Sequence, residues 1–372
     1  MSKKTALKTK NVSKNVSTYN TTKVAGSNAT NVTKCPDLLL NSNTIHQNTH
    51  RPRRLRRNPA IRNLVEETSL HLQHLIYPVF LCEGKNQKIP IKTLPGLYRL
   101  SADLLVKEIA QCEKLGLSHF ALFPAIDPSL KNSTATEATN PHGLLPETLK
   151  RIKDKSPNAF LITDVALDPY SSDGHDGLVQ DGKILNDETV EILCEMSLMQ
   201  AHAGSDMVAP SDMMDGRVGA IRQALDENGF IDTSILAYSA KYASAFYGPF
   251  REALDSAPRF GDKKTYQMNY KNRREALLEA SLDVAEGADI VMVKPALSYL
   301  DIISDLRSQL DVPIAAYNVS GEYAMVKFTA QAGACDEARL MQEILYSIRR
   351  AGADIILTYH AKELAQLWQK NF

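Results

Sequence analysis

Two lysines carry the chemistry open to this sequence. Lys294 closes the run Ile290-Val-Met-Val293, whose unbroken apolar character marks a strand covered on both faces. Pro295 follows and cannot donate to a ladder, so the strand stops there. Such a lysine sits in low-dielectric surroundings that disfavour the ammonium, lower its pKa and free an amine for Schiff-base chemistry. The plain alternative is a lysine that snorkels to the sheet rim. Lys241 follows a second strand-like run at 235–238. Two ammonium groups at one pocket repel, which lowers at least one pKa further. Arg251, with Lys263 or Lys264, offers a grip for a carboxylate, arginine doing so bidentately. The set points to covalent catalysis on a carbonyl substrate that bears a carboxylate.

Asp164, Asp168, Asp173 and Asp176 crowd one short stretch with Tyr170, Ser172 and His175. Carboxylates this dense bind a hard cation or position protons. A solvated acidic loop is the bland reading, because loops collect Asp and Gly for turn geometry. The spacing does not fit an EF-hand loop.

These residues need a scaffold that brings strand ends together. Strand-like runs fall at 77–81, 120–125, 160–168, 207–210, 235–238, 290–294, 314–319 and 355–359. Helical patterns fill the gaps at 102–115, 146–155, 187–203, 215–227, 273–286, 300–310, 337–351 and 361–369. Glycine follows several of them, at 116, 204, 229, 287 and 352, where a left-handed cap belongs. Eight strand–helix units predict a TIM (β/α)8 barrel over residues 75–372, with its chemistry at the carboxyl ends of the strands. A doubly wound open sheet is the alternative, but no G-x-G-x-x-G follows a first strand. The segment 233–264 holds one strand and a long polar loop, which suits an active-site lid.

Ahead of the barrel the composition changes. Residues 1–57 hold seven Lys and five Arg against the single acid Asp37, while the whole chain is neutral. An acidic body therefore carries a basic tail. Residues 1–50, rich in Asn, Thr, Ser and Lys, read as a disordered tail. A transit peptide is the alternative, although no Arg precedes Arg51. Residues 51–74 read as an arm for contacts between subunits: a five-Arg cluster, then Asn58 as an N-cap and Pro59 in a first helical turn. The same cluster could meet nucleic acid, but no stacking aromatics interleave it. The five cysteines form no C-x-x-C, so neither a disulfide framework nor a Cys-rich zinc site is expected. No run is long and apolar enough to span a membrane.

Five motifs in order resemble one family. They are Asp164-Val-Ala-Leu-Asp-Pro-Tyr-Ser-Ser-Asp-Gly-His-Asp-Gly177, Pro210-Ser-Asp-Met-Met-Asp-Gly-Arg217, Tyr238-Ser-Ala-Lys-Tyr242, Phe246-Tyr-Gly-Pro-Phe-Arg251 and Met292-Val-Lys-Pro295. The chain from about Arg51 to its end resembles the porphobilinogen synthases, also called 5-aminolaevulinate dehydratases. The resemblance implies a barrel whose arm wraps a neighbour in a homo-octamer. It implies condensation of two molecules of 5-aminolaevulinate to porphobilinogen with loss of water, an early step of tetrapyrrole synthesis. It implies Schiff bases on Lys241 and Lys294, the latter with the substrate that supplies the propionate side. Arg251, Lys263, Ser320 and Tyr359 match positions that bind substrate carboxylates.

The family divides by metal. Zinc members carry three cysteines where this chain has Ala166, Asp168 and Asp176. Thiolate is the soft ligand that selects zinc, so the chain resembles the magnesium-responsive branch, with no zinc and no organic cofactor. In that branch a glutamate on the helix before the second lysine binds an activating Mg²⁺; its counterpart here is Glu279. Glu279 and Asp283 stand i, i+4 on one helix face and would offer a carboxylate pair. Asp164, Asp168 and Asp176 are left as either metal ligands or proton carriers. Ala296 stands where many members have glycine, which suggests an altered turn after Lys294. The motif wording resembles the cyanobacterial and plastid side of the family, so a bacterial cytoplasm is expected, with a plastid stroma as the alternative. Two other readings stay open: a different Schiff-base aldolase on the same barrel, and a nucleic-acid-binding protein using the basic arm.

Overall fold

The computed structural model describes residues 50–370. The eight expected strands are all present: β1 Leu75–Cys82, β2 His119–Ala125, β3 Phe160–Val165, β4 Met207–Pro210, β5 Ser234–Lys241, β6 Ile290–Lys294, β7 Ile314–Asn318 and β8 Ile355–Thr358. They pair in parallel in chain order. β8 pairs β1 through Leu75↔Ile356, which closes the sheet into a barrel. The strands are short and buried because both faces are covered, by side chains inside and helices outside. The five glycines expected past helices all take positive φ, from 83° to 120°.

Several elements depart from the sequence reading. Helix Ser320–Gln331 stands where the sequence suggests only a strand-end loop. It buries Ser320 to Ala324 and then Val326 and Lys327, so it lacks the apolar stripe that marks a surface helix. The short helix Gly248–Leu254 lies inside the segment expected as a polar loop. The hairpin Leu178–Gln180 with Lys183–Leu185 turns on Asp181-Gly182, both at positive φ, the dipeptide that favours such a turn. A second hairpin, Lys88–Pro90 with Tyr98–Ser101, pairs onto the end of β1. β3 stops at Val165, so Asp168 and Asp176 stand on the loop beyond it.

The chain divides between Val65 and Glu66 into two units. In the first, Pro52–Arg56 forms a 3₁₀ turn and Pro59–Leu64 a helix. The Asn58 carboxamide accepts from Ile61 N at 3.1 Å, the expected cap. Neither element buries a residue, and Leu64 is 78% exposed. But for His50, the tail 1–50 lies outside the described residues. Among the described residues, no helix is long and apolar enough to cross a membrane.

Candidate active site

Register sets the site. Lys241 and Lys294 are direct partners across β5 and β6. Ala237 pairs Val291 and Ala240 pairs Val293, a step of three residues on β5 against two on β6. This bulge has a physical consequence: without it, Tyr238 and Lys241, an odd number of residues apart, would face opposite sides. With it, the Tyr238 ring reaches the Lys294 amine at 4.9 Å, and Lys241 lines the same cavity.

Lys294 Nζ stands among four aromatic rings, those of Tyr238, Tyr247, Phe250 and Tyr317, all 4.8–5.2 Å away. Ring faces favour a cation, but the rings also exclude water. Burial, and next the Lys241 charge, push Lys294 down to about 7. Ala296, flagged as a departure, sits at φ −95° and needs no left-handed turn.

Lys241 Nζ donates to Asp176 Oδ2 at 3.0 Å and to the Ser211 carbonyl. Lys263 Nζ donates to Asp176 Oδ1 at 2.5 Å and to Asp168 Oδ2 at 3.3 Å. Asp176 thus bridges two ammonium groups. Burial alone would raise its pKa, but Lys241 and Lys263 outweigh burial and hold the carboxyl well below the usual range. Burial opposes the Lys263 charge too, and Asp168 with Asp176 holds it protonated. Asp164 differs. Burial and the Asp168 charge raise it to about 7, against the pull of Lys294 and Lys241. Asp164 and Lys294 therefore change charge over one pH range, as an acid and a base must. The carboxylates do not converge as metal ligands; among the described residues no group of three or more His, Cys, Asp or Glu does. Two of the three are bound to ammonium groups instead.

The lid closes this cavity, leaving about 20 Å³, room for little more than a water molecule. Arg251, on helix Gly248–Leu254, lines it, as do Tyr247, Phe250, Lys263 and Gln267. Two close approaches seat the lid. A Cβ on Gly321 would stand 2.5 Å from the Phe246 carbonyl oxygen, and one on Gly174 would collide with the Ala257 carbonyl. Beside the first, Ser320 Oγ donates to Phe246 O at 3.2 Å and accepts from Phe250 N at 3.1 Å. Beside the second, Arg259 N donates to Asp173 O at 2.9 Å. His175 donates from Nε2 to Phe260 O, so its Nδ1 accepts from the Tyr266 hydroxyl at 3.0 Å.

The structure brings together Lys241, Lys294, Arg251, Lys263, Asp164, Asp168 and Asp176. Ser320 and Tyr359 stand outside this cavity. The Ser320 hydroxyl serves the lid backbone, and the Tyr359 hydroxyl meets that of Tyr317 at 2.9 Å. Sequence reasoning missed the aromatic surround of Lys294. Tyr238 and Phe250 lie in the quoted motifs, but nothing in one strand's sequence aims Tyr317 at a lysine on its neighbour. Glu279 lines another space, an open groove of about 930 Å³ with Asp215 and Glu275. Burial, opposed by Arg217 but reinforced by Asp283 and Asp215, raises its pKa. Asp283 is not the second ligand expected. Its carboxylate is buried and takes both Arg217 guanidinium nitrogens, at 2.7 and 3.3 Å.

The model of the family described as delta-aminolevulinic acid dehydratase matches residues 49–367. The chloroplastic delta-aminolevulinic acid dehydratase of Physcomitrium patens is 58% identical over 318 residues, 85% of this chain and 73% of that one. Chloroplastic enzyme 1 of Arabidopsis thaliana is 57% identical, over 85% and 74% of the two chains. The crystal structure of delta-aminolevulinic acid dehydratase (porphobilinogen synthase) from Toxoplasma gondii ME49, in complex with the reaction product porphobilinogen, superposes with a TM-score of 0.86. It is 52% identical and covers 87% of this chain and 92% of that one. The expected bacterial cytoplasm is overturned: the plant relatives are named chloroplastic.

The Lys294 amine yields a prediction independent of any substrate. Its reductive methylation by formaldehyde and cyanoborohydride should rise about tenfold per pH unit below neutrality and level off above pH about 7. A lysine of ordinary pKa keeps gaining until pH ~10. Mass spectrometry of the peptide holding Lys294 reads the rate, and a continued rise past pH ~9 would place the amine in ordinary solvent.

Proposed function

The chain belongs to the delta-aminolevulinic acid dehydratase family, lyases that condense two molecules of 5-aminolaevulinate to porphobilinogen with loss of water, and we propose that Lys241 and Lys294 are the amines through which it does so. The observation that carries this assignment is the register pair, two lysines across β5 and β6 in one closed cavity. In a single-lysine aldolase the second would only lower the first one's pKa; the family match favours the two-amine reading and leaves the nucleic-acid reading without support.

The roles follow from protonation. Lys294, lowered toward neutrality, presents a free amine that attacks the ketone carbon of one substrate; loss of water leaves an imine. Once protonated, the imine acidifies the neighbouring C–H bonds. Asp164, raised to the same range, takes or returns a proton there. Lys241 Nζ is paired with Asp176 at 3.0 Å, and this pair must part before the amine attacks. Lys263 takes the other oxygen of that carboxylate, so Asp176 stays compensated when Lys241 leaves it. Arg251 and Lys263 meet the substrate carboxylates, with Lys263 exchanging its longer contact to Asp168 for substrate. Ser320 and Tyr359 complete the grip once the lid has moved. The lid must open, because about 20 Å³ admits no substrate. Relatives named chloroplastic support a plastid setting.

An activating Mg²⁺ fits Glu279 facing the open groove, without Asp283, which Arg217 already holds. Hydrated Mg²⁺ needs only one or two carboxylates, and beside the burial that raises the Glu279 pKa stand the negative charges of Asp283 and Asp215, which favour a cation in the groove. When bound there, the ion supplies charge for regulation, remote from the lysines. Homo-octameric assembly through the arm draws support from Leu55, Leu64 and Val65, exposed on or beside two arm elements that bury none of their residues, and from Leu278 and Leu282, exposed on helix Arg274–Ala285.

Three experiments test these assignments. Borohydride added with 5-aminolaevulinate should tag Lys294 and, less stably, Lys241. Lys294→Ala should abolish pyrrole formation in a colour assay at an unchanged melting temperature, and normal activity in it would sink the mechanism. For the arm, deleting residues 1–50 should leave the assembly whole by light scattering, and deleting 1–65 should reduce it to smaller species; an intact octamer after the second deletion removes the arm from the assembly. For the metal, calorimetry should register Mg²⁺ binding to the wild type and none to Glu279→Ala, which keeps its basal turnover. Equal binding by both proteins would show that the ion sits elsewhere.

A further inference from the structure

Glu322 is a buried carboxylate, 1% exposed, on the first turn of helix Ser320–Gln331. Among the described residues it forms no ion pair. Burying such a charge without compensation is expensive, so its partners show what it is for. Oε2 accepts from Val319 N at 3.0 Å and from Asn318 Nδ2 at 2.9 Å. These contacts cap its own helix and tie it to the end of β7. Oε1 accepts from Leu297 N at 2.8 Å, and the backbone of Ser298 also donates to the carboxylate. Leu297 and Ser298 are no part of that helix; they follow Lys294 by three and four residues. A helix cap explains the first pair of contacts and leaves the second unexplained.

The other end of the same segment is held as well. The Lys294 carbonyl accepts from Tyr242 N at 2.9 Å and from the Tyr247 hydroxyl at 3.0 Å. The Asn318 carboxamide oxygen accepts from Thr358 Oγ1 at 2.9 Å, which carries the tie on to the end of β8. We propose that Glu322 is a positioning residue for Lys294: its carboxylate fixes the segment 294–298 against the exits of β7 and β8, and so fixes where the Lys294 amine stands among its four rings. The amine has little room for error there, since a displacement of about 1 Å at a reacting group lowers rates on the order of a hundredfold. No neutral side chain of this size replaces the carboxylate, because an amide turns an N–H toward one of these donors.

The proposal rests on Lys294 being the reactive amine, and the test separates the two. Glu322→Gln keeps the volume and loses an acceptor; Glu322→Asp keeps the charge and withdraws it from Leu297. In both, amide hydrogen exchange at Leu297 and Ser298 should accelerate, and kcat per folded site should fall about 10- to 100-fold with KM within about threefold of wild type. Unchanged exchange at those two amides, or an unchanged kcat per folded site beside a lowered melting temperature, overturns the proposal and leaves Glu322 a helix cap. Borohydride trapping of the wild type with 5-aminolaevulinate is run beside it. If Lys294 stays unlabelled, the Schiff-base assignment falls, while exchange at Leu297 and Ser298 still decides whether Glu322 fixes the segment.

Discussion

Three ammonium groups buried in one cavity would repel one another and lose their hydration, so a fold that gathers them must supply matching negative charge at the same depth. Asp176 meets this constraint for two of them, one oxygen on Lys241 and the other on Lys263. Asp168 adds a longer contact to Lys263. Lys294 receives no such partner, only aromatic rings, and it is the amine pushed toward neutrality. The division between two neutralised lysines and one poised lysine is thus a matter of where one loop carboxylate stands. That loop follows β3, two strands away from β5 along the sheet, so Asp176 reaches Lys241 across the end of β4.

The lid makes the charge arrangement matter. With water present, ammonium and carboxylate would be screened and Lys294 would approach an ordinary lysine. Helix Gly248–Leu254 and the residues flanking it seal the cavity and contribute Tyr247, Phe250, Arg251 and Lys263 to its wall. The seal is made largely by main chain on main chain, at Gly321 and Gly174, with Ser320 bridging the lid's carbonyl and amide. Such an element must lift and return for substrate to enter.

Much of this was legible in the sequence, for a physical reason. Parallel strands buried on both faces read as continuous apolar runs, and each barrel strand announced itself that way. The residues at their carboxyl ends, Lys241, Lys294 and the Asp164–Asp176 run, were then fixed at one end of the barrel. The failures share a cause as well. Helix Ser320–Gln331 buries Ser320, Glu322 and Lys327 while Met325 and Phe328 face outward, so it has no stripe to read. Asp283 shares a helix face with Glu279, yet Arg217, far away in sequence, claims it. Tyr317 meets Lys294 only through the pairing of β6 with β7. Local pattern reveals elements; it does not reveal which buried polar group a distant element has already taken.

The extra residue on β5 has a consequence for how this strand can vary. Point substitutions on β5 change one side chain and leave phase intact. An insertion or deletion between Tyr238 and Lys241 would reverse the facing of everything beyond it. Loss of a single residue there would turn Lys241 outward among the helices while leaving Lys294 in place. The spacing of that stretch is therefore held more tightly than its composition, and homologous chains that keep both lysines should differ in letters between those positions but never in number.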